Sequence, residues 1–179
     1  MTKRLLFFIF LVSFLFANSS FLFSQSAFQI SYNYDGFDVV SSVKNTSGGY
    51  IAAGWGFGSV NFLPVGIAME TDFVGNIVWA KRYRGDAFGF TPLSIWDMQK
   101  TQAGGYVMTG FRGSRALLMN TNATGTVNWA REIGNNNDGG NNLKQTAAGD
   151  FVVAGSTSNK SLNPDKDSTS IFVFKSNSA

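Results

Sequence analysis

The sequence contains neither cysteine nor histidine among its 179 residues. Without these side chains the chain cannot build a Ser-His-Asp triad, a thiol nucleophile, an ordinary zinc site or a histidine-ligated haem. The lack of cysteine also excludes disulfide bonds and a lipid anchor on an N-terminal cysteine. The fold must therefore be stabilised by packing, and any catalysis would use carboxylate, lysine or tyrosine chemistry.

Acidic side chains are few, and only two of them are glutamates, Glu70 and Glu132. A glycosidase-like pair needs two carboxyl groups within about 5–10 Å of each other, and no spacing in the sequence indicates such a pair. Each glutamate stands at the end of a predicted strand, where a solvated charge is the simpler interpretation. We therefore predict no catalytic residue and no enzymatic activity, and a carboxylate-dependent hydrolase is the least favoured alternative.

Residues 1–26 have the layout of a secretory signal peptide. Two basic residues precede an apolar run at 5–17, and small polar residues follow at 18–20. Apolar residues resume at 21–23, so cleavage is predicted after Ser26, or alternatively after Ala27. The sequence thus predicts export of a mature domain at 27–179.

An uncleaved membrane anchor is the alternative interpretation of the same segment, because its apolar stretch approaches the about 20 residues that cross a bilayer. Contact with a membrane is predicted only in that case. Removing the signal also removes Lys3 and Arg4, which leaves 12 basic residues against 11 acidic ones. So small a charge excess gives no reason to predict a nucleic-acid partner.

Two short motifs recur in a fixed order along the chain. GGYIAAG at 48–54 is followed by GGYVMTG at 104–110 and, more loosely, by GDFVVAG at 149–155. Between them, GNIVWAK at 75–81 is followed by GTVNWAR at 125–131. This recurrence predicts one supersecondary unit used about three times.

The mature chain is expected to form strands throughout. Residues 28–34 alternate between apolar and polar, as in a strand with one buried face. Residues 50–55, 65–69 and 116–119 are instead apolar or small at nearly every position, which is typical of strands covered on both faces. A sandwich exposes one face of each sheet, whereas propeller blades stack face to face. The pattern therefore favours a propeller.

The predicted strands amount to about three four-stranded antiparallel blades. One strand at 28–34 precedes two complete blades and a last blade that lacks its fourth strand, and the strand at 28–34 is available to complete it. Single-chain propellers usually have about four to eight blades. We therefore predict an all-β, partial or oligomer-completed β-propeller: an open arc, a homodimer that forms a six-bladed ring, or a fragment of a longer protein.

The motif built from Thr101, Gly104-Gly105-Tyr106 and Gly110, with Thr121-Asn122 and Trp129 after it, resembles the repeats of secreted bacterial β-propeller-like proteins. Those repeats read T-x-D-G-G-Y-I-x-x-G and K-T-D-x-x-G-N-x-x-W, and the resemblance covers residues 28–179. It implies a propeller-like fold and a location outside a bacterial cell or on its surface, and it implies almost nothing about activity. The chain departs from the pattern at Glu70 and Asn120, where lysine is usual.

Connections between the second and third strands of a unit, and between one unit and the next, vary in length. Variable loops on a rigid scaffold are where binding residues concentrate, and these loops place aromatic side chains beside Arg, Asp and Asn, which suits stacking on sugar rings combined with hydrogen bonding. We therefore predict a binding scaffold for a glycan or a protein, whose variable-loop face presents Phe62, Arg84, Asp86, Phe88, Phe90, Arg112, Arg115, Asn137 and Asp138.

Simpler interpretations stand beside this one. Phe88 and Phe90 would fill a gap between blades, Asp138 would cap a strand, and Trp79 and Trp129 are predicted core residues. The whole chain would then be a structural module of the cell envelope or a propeller fragment without independent activity.

No cofactor and no metal is predicted. Asn163, Asp165 and Asp167 alternate like the first ligands of a calcium loop, but Ser168 and Phe174 replace the glycine and glutamate that the EF-hand requires.

Overall fold

The computed structural model describes residues 30–32, 38–57, 62–87, 90–135, 137–158 and 169–177. This part of the chain forms eleven strands in three antiparallel sheets and contains no helix, so none that could cross a membrane. The predicted all-β class is therefore confirmed, with sheets of four, four and three strands. The proposed signal peptide and most of the strand predicted at 28–34 lie outside the described residues.

The strands follow one another within each sheet, so that every connection inside a sheet is a hairpin. The first sheet contains β1 (Asp38–Asn45), β2 (Gly49–Phe57), β3 (Pro64–Asp72) and β4 (Ile77–Tyr83). The second contains β5 (Leu93–Lys100), β6 (Tyr106–Arg112), β7 (Arg115–Thr121) and β8 (Val127–Ile133). The third contains β9 (Asp138–Gln145), β10 (Phe151–Thr157) and β11 (Ser170–Ser176).

The motif glycines and the Asx residues shape two of these hairpins. Between β5 and β6, the Thr101 N–H donates to the Gly105 carbonyl over 2.8 Å, and Gly104 has a φ of 90°, which favours glycine. Between β7 and β8, the Asn122 side-chain oxygen accepts from the N–H groups of Thr124 and Thr126. Such Asx turns explain why Asp or Asn recurs at this place in the sequence.

The second sheet lies between the other two. One of its faces packs through Met98, Met108 and Leu117 against Ile51 and Ala68 of the first sheet. Its opposite face packs against the third sheet, in a cluster formed by Val107, Leu118, Leu143, Phe151 and Val153. Three sheets are therefore stacked face to face around two apolar layers.

Burial on both faces, which the sequence predicts for all three units, holds only for the second sheet. Within the described residues, the outer face of the first sheet leaves Val40 and Val43 exposed, and that of the third leaves Ile171 and Val173 exposed. The reason is positional, because the first and third sheets are the ends of the stack. An apolar sequence pattern cannot distinguish a covered face from an uncovered one.

The inner strands of the three sheets converge on one buried carboxylate, that of Asp97 in β5. Its Oδ1 accepts from the Ser42 hydroxyl of β1 over 2.8 Å, and its Oδ2 accepts from the Leu143 N–H of β9 over 3.0 Å. The Lys44 ammonium, also on β1, lies 3.1 Å from Oδ1. Asp97 therefore ties the first and third sheets to the second.

Trp79 and Trp129 join neighbouring sheets, but they are only partly buried rather than core residues in full. The Trp79 ring lies 5.5 Å from the ring of Tyr106 in the next sheet, and its Nε1–H donates to Glu70 over 2.9 Å. Trp129 packs in the same way on Phe151, at 6.1 Å. Glu70 is thus a hydrogen-bonded residue rather than a freely solvated charge.

Replacing Asp97 by alanine is expected to lower the free energy of unfolding by about 3 kcal/mol, because the buried Leu143 N–H and the Ser42 hydroxyl would lose their acceptor. Urea denaturation measures the loss. The matched control is Ser42→Ala, which removes one donor and should cost about 1 kcal/mol. A loss below about 1 kcal/mol for Asp97→Ala would show that the carboxylate does not hold the sheets together.

Trp79→Ala is expected to cost about 3 kcal/mol, at the lower end of the range for aromatic truncations, because part of the ring is exposed. Trp79→Phe keeps a ring against Tyr106 and loses the hydrogen bond to Glu70 and part of the indole's packing area, so it should cost about 1–2 kcal/mol. Equal losses for the two variants in urea denaturation would contradict the packing role of the indole.

Candidate functional site

The predicted site residues fall into separate groups. Phe62, Phe90 and Arg115 are exposed, Arg84 and Arg112 line one cavity, and Asn137 and Asp138 line another. Asp86 accepts a hydrogen bond from the Phe90 N–H over 3.1 Å. Phe88 lies outside the described residues. The structure thus brings together Arg84 with Arg112 and Asn137 with Asp138.

The Arg84–Arg112 cavity has a volume of about 370 Å³. The Arg112 guanidinium donates from Nε to the Gly85 carbonyl over 2.6 Å and forms a 3.2 Å ion pair with Glu132 on β8. These bonds fasten the loop after β4 to the second sheet. Arg112 thus has a structural role that accounts for it without a ligand.

The second cavity, which we call the Trp96 cavity, has a volume of about 230 Å³ and opens where the loops of the second and third sheets meet. Its walls combine two aromatic side chains with short polar ones: Trp96, Phe111, Ser114, Asn137, Asp138 and Ser156. This is the composition that the sequence predicted for a sugar site, but with aromatic residues that the sequence interpretation did not select.

A β-bulge places Trp96 in this wall. In the pairing of β5 with β6, Ile95 faces Gly110 and Asp97 faces Thr109, so Trp96 is the extra residue between them. Bulges redirect side chains in this way. The Trp96 ring lies 5.3 Å from that of Phe111, and it covers Gly139, where an added Cβ would stand only 2.5 Å from the indole.

Asp138 forms the polar wall. It is 95% buried, and its Oδ2 accepts from the Asn135 N–H over 2.6 Å, so the strand-capping interpretation accounts for this oxygen. Its Oδ1 is also buried and has no hydrogen-bond partner in the described structure. A buried carboxylate oxygen without a donor is costly. Asp138 therefore retains acceptor capacity that the protein itself does not use.

Asn137 holds the backbone in place next to Asp138, the first residue of β9. Its backbone is in the left-handed region, with a φ of 70°, which asparagine tolerates better than most residues. The Asn137 N–H donates to the Ser114 carbonyl over 2.6 Å, and its own carbonyl accepts from the Ser158 N–H over 3.2 Å. Three loops are thus joined around the cavity, so its walls are formed without a ligand.

Trp96 lines the candidate site but is not among the residues that the sequence predicts there. The strand pairings contain five bulged positions, Ser41, Val78, Trp96, Asn128 and Asn141, of which only Trp96 carries an aromatic side chain. Phe111 lies near the end of β6, whose apolar sequence predicts a strand buried on both faces rather than a binding residue.

The described residues contain no cluster of three or more acidic side chains that could hold a metal ion. The loop with Asn163, Asp165 and Asp167, for which the sequence predicts no metal, lies outside them. No protein-family profile matches the chain, and no curated protein is significantly similar to it. The function must therefore be inferred from the geometry of the site.

Gly139→Ala tests the packing of Trp96 on β9. We expect a loss of about 1–3 kcal/mol in urea denaturation, because the new methyl group would collide with the indole. In a Trp96→Ala background the same substitution should cost little, since the obstacle is gone. Gly48→Ala is the control, because an added Cβ there meets nothing within 4 Å. An equal cost of Gly139→Ala in both backgrounds would contradict the described contact.

Proposed function

We propose that this protein is an exported, β-propeller-like scaffold that binds carbohydrate in the Trp96 cavity. The propeller interpretation is supported by the face-to-face stacking of consecutive antiparallel sheets and by the convergence of their inner strands on Asp97. Export is supported by the signal-like sequence at 1–26. In this arrangement the variable loops lie along one side of the stack, where the strands end, and the cavity opens among them.

The observation that carries the binding proposal is the unused Oδ1 of Asp138 beside the Trp96–Phe111 aromatic pair. A ligand hydroxyl is the neutral donor that would satisfy such an oxygen after a small adjustment of the wall. The carboxylate would accept this bond as a charge-assisted one, which is about twice as strong as a neutral hydrogen bond.

Carbohydrates fit the remaining walls. A sugar ring presents an apolar face of C–H groups to an aromatic ring and hydroxyl groups around its edge, and the hydroxyls of Ser114 and Ser156 lie in the cavity lining. Pockets for drug-sized ligands measure about 300–1,000 Å³. The Trp96 cavity is smaller at about 230 Å³, so it would accept one sugar unit of a larger glycan.

Binding rather than hydrolysis is the better interpretation of the acidic groups. Asp138 is the one carboxylate in the cavity lining, while Glu132 is paired with Arg112 and Glu70 accepts from Trp79. A hydrolase needs a second carboxyl group within about 5–10 Å across the ligand, and the described lining supplies none.

A glycan array followed by calorimetry on the best ligand tests the proposal. Trp96→Ala and Asp138→Asn should each weaken binding by roughly tenfold or more, which corresponds to about 1.4 kcal/mol. Phe62→Ala is the matched control, because Phe62 is an exposed aromatic residue on a loop that does not line the cavity. Thermal melts of all three variants separate loss of binding from loss of folding.

Asp138→Asn is the decisive variant, since it conserves shape and the acceptor for the Asn135 N–H. Unchanged affinity in this variant would refute the role given to the carboxylate. A protein that binds no glycan on the array, or that loses binding equally in Phe62→Ala, would refute the proposed function.

A further inference from the structure

Within the described residues, no further sheet packs on the outer face of the first sheet or on the outer face of the third sheet. The first of these faces corresponds to the side of the second sheet that meets the first sheet, and the other corresponds to the side that meets the third sheet. On the outer face of the first sheet, paired residues Val43, Ala52 and Met69 form a row across β1, β2 and β3. The same row positions in the second sheet are Met98, Met108 and Met119, which are buried against the first sheet. In the third sheet they are Leu143, Val153 and Phe174, which pack against the second.

The outer face of the third sheet corresponds to the face of the second sheet that packs on the third sheet. Its paired residues Ala154 and Val173 occupy the positions that Thr109 and Leu118 hold in the second sheet, where Leu118 is fully buried against the third sheet. Val173, in contrast, is 62% exposed and Val43 is 59% exposed. The outer face of the third sheet and the outer face of the first sheet therefore correspond to the two sides of one sheet-to-sheet interface.

The N-terminal segment at 30–32 supplies the second observation. It borders a cavity of about 500 Å³ against the outer face of the first sheet, and the Tyr32 hydroxyl donates to the Gly75 carbonyl in the β3–β4 turn. Tyr83, which ends β4, donates in the same way to the Gly125 carbonyl in the β7–β8 turn of the next sheet, over 2.8 Å. Tyr32 thus stands where the fourth strand of a preceding sheet would end.

In the part of the chain that the structure describes, this position of Tyr32 has no companion strands, and the third sheet contains three strands where the first and second contain four. Within the described residues β11 pairs only with β10, so its other edge is open, and 30–32 lies at the opposite end of the stack instead of beside it. The segment expected to complete the last sheet is therefore placed where it could complete only the third sheet of another molecule.

We propose that the protein forms a homodimer in which the third sheet of each copy stacks on the first sheet of the other, and in which the segment around 30–32 adds to the edge of the partner's β11. Because each chain contributes three sheets and closed propellers have about four to eight, two copies give the one ring size in that range. The two identical interfaces are related by the dimer axis, which closes the assembly.

A second copy fits better than an unrelated protein, because both halves of the interface are present on one chain in matching register. It also removes two hazards at once, since an open strand edge and exposed apolar sheet faces promote uncontrolled association. The inference does not depend on the Trp96 cavity, so failure of carbohydrate binding would leave it intact.

Light scattering after size-exclusion chromatography of the purified protein is the first test. The dimer predicts twice the mass that mass spectrometry gives for the purified chain, independent of loading over a wide concentration range. A monodisperse monomer at high concentration would refute the proposal, and so would a growing series of larger oligomers, which indicates open head-to-tail chains.

Cysteine cross-linking identifies the faces, because the natural chain has no cysteine. Val43→Cys protein and Val173→Cys protein are purified separately, mixed, allowed to exchange and oxidised. A disulfide-linked heterodimer is expected. Val173 holds the position of Leu118 and Val43 holds that of Leu143, and these two leucines lie in one buried cluster between the second and third sheets. Cross-linking of Val173→Cys protein with itself would instead show that two third sheets meet, which overturns the proposed pairing.

Val173→Lys tests the energetics at an exposed position that the single chain does not need for folding. Burying the lysine in the interface should raise the dimer's Kd by roughly tenfold or more while leaving the fold of the monomer intact by circular dichroism. The control is Val127→Lys, an exposed valine on β8 that lies on neither end face. An unchanged Kd for Val173→Lys, or an equal rise for Val127→Lys, would refute the proposed interface.

Discussion

The carboxylate of Asp97 is the constraint on which the arrangement of the sheets depends. It is 5% exposed and takes hydrogen bonds from two other inner strands, through Ser42 and Leu143, while Lys44 offsets its charge. Apolar layers between flat sheets are not directional and would tolerate sliding. A buried charge is tolerated only with its donors in place. Asp97 therefore fixes the positions of the first and third sheets relative to the second.

The same bulge serves the scaffold and the candidate site. Between Ile95 and Asp97 the strand β5 contains one residue more than its partner β6, and that residue is Trp96. The irregularity lets Asp97 point toward the inner strands while the indole of Trp96 covers Gly139 and borders the cavity. A change that removed the bulge would therefore disturb both stability and the proposed binding wall.

Much of the fold follows from the sequence, because strand positions, hairpin order and glycine turns are encoded locally in motifs such as those at 48–54 and 104–110. The register irregularities are not, because β5 is buried on both faces and has no alternation whose shift would reveal an inserted residue; the sequence therefore gives no sign that Trp96 stands at a bulge beside Asp97. That Asn137 and Asp138 lie side by side next to the variable connection was predictable from spacing, although Asp138 is the first residue of β9 rather than a loop residue. Their separation from Phe62 and Arg84 was not, because it depends on which loops approach one another in three dimensions.

The three sheets share an architecture without sharing a site. Between the first and second sheets, Ser41 stands in the position of Trp96, Trp55 in that of Phe111 and Leu93 in that of Asp138. An aromatic residue is present there, but the buried acceptor is not. Among the described residues, the bulged tryptophan, the second ring and the acid coincide only between the second and third sheets. The sheets stack through small and apolar residues in the layers between them, so the residues at the loop ends are not needed for stacking. Binding residues can therefore arise between two sheets without changing how the sheets stack.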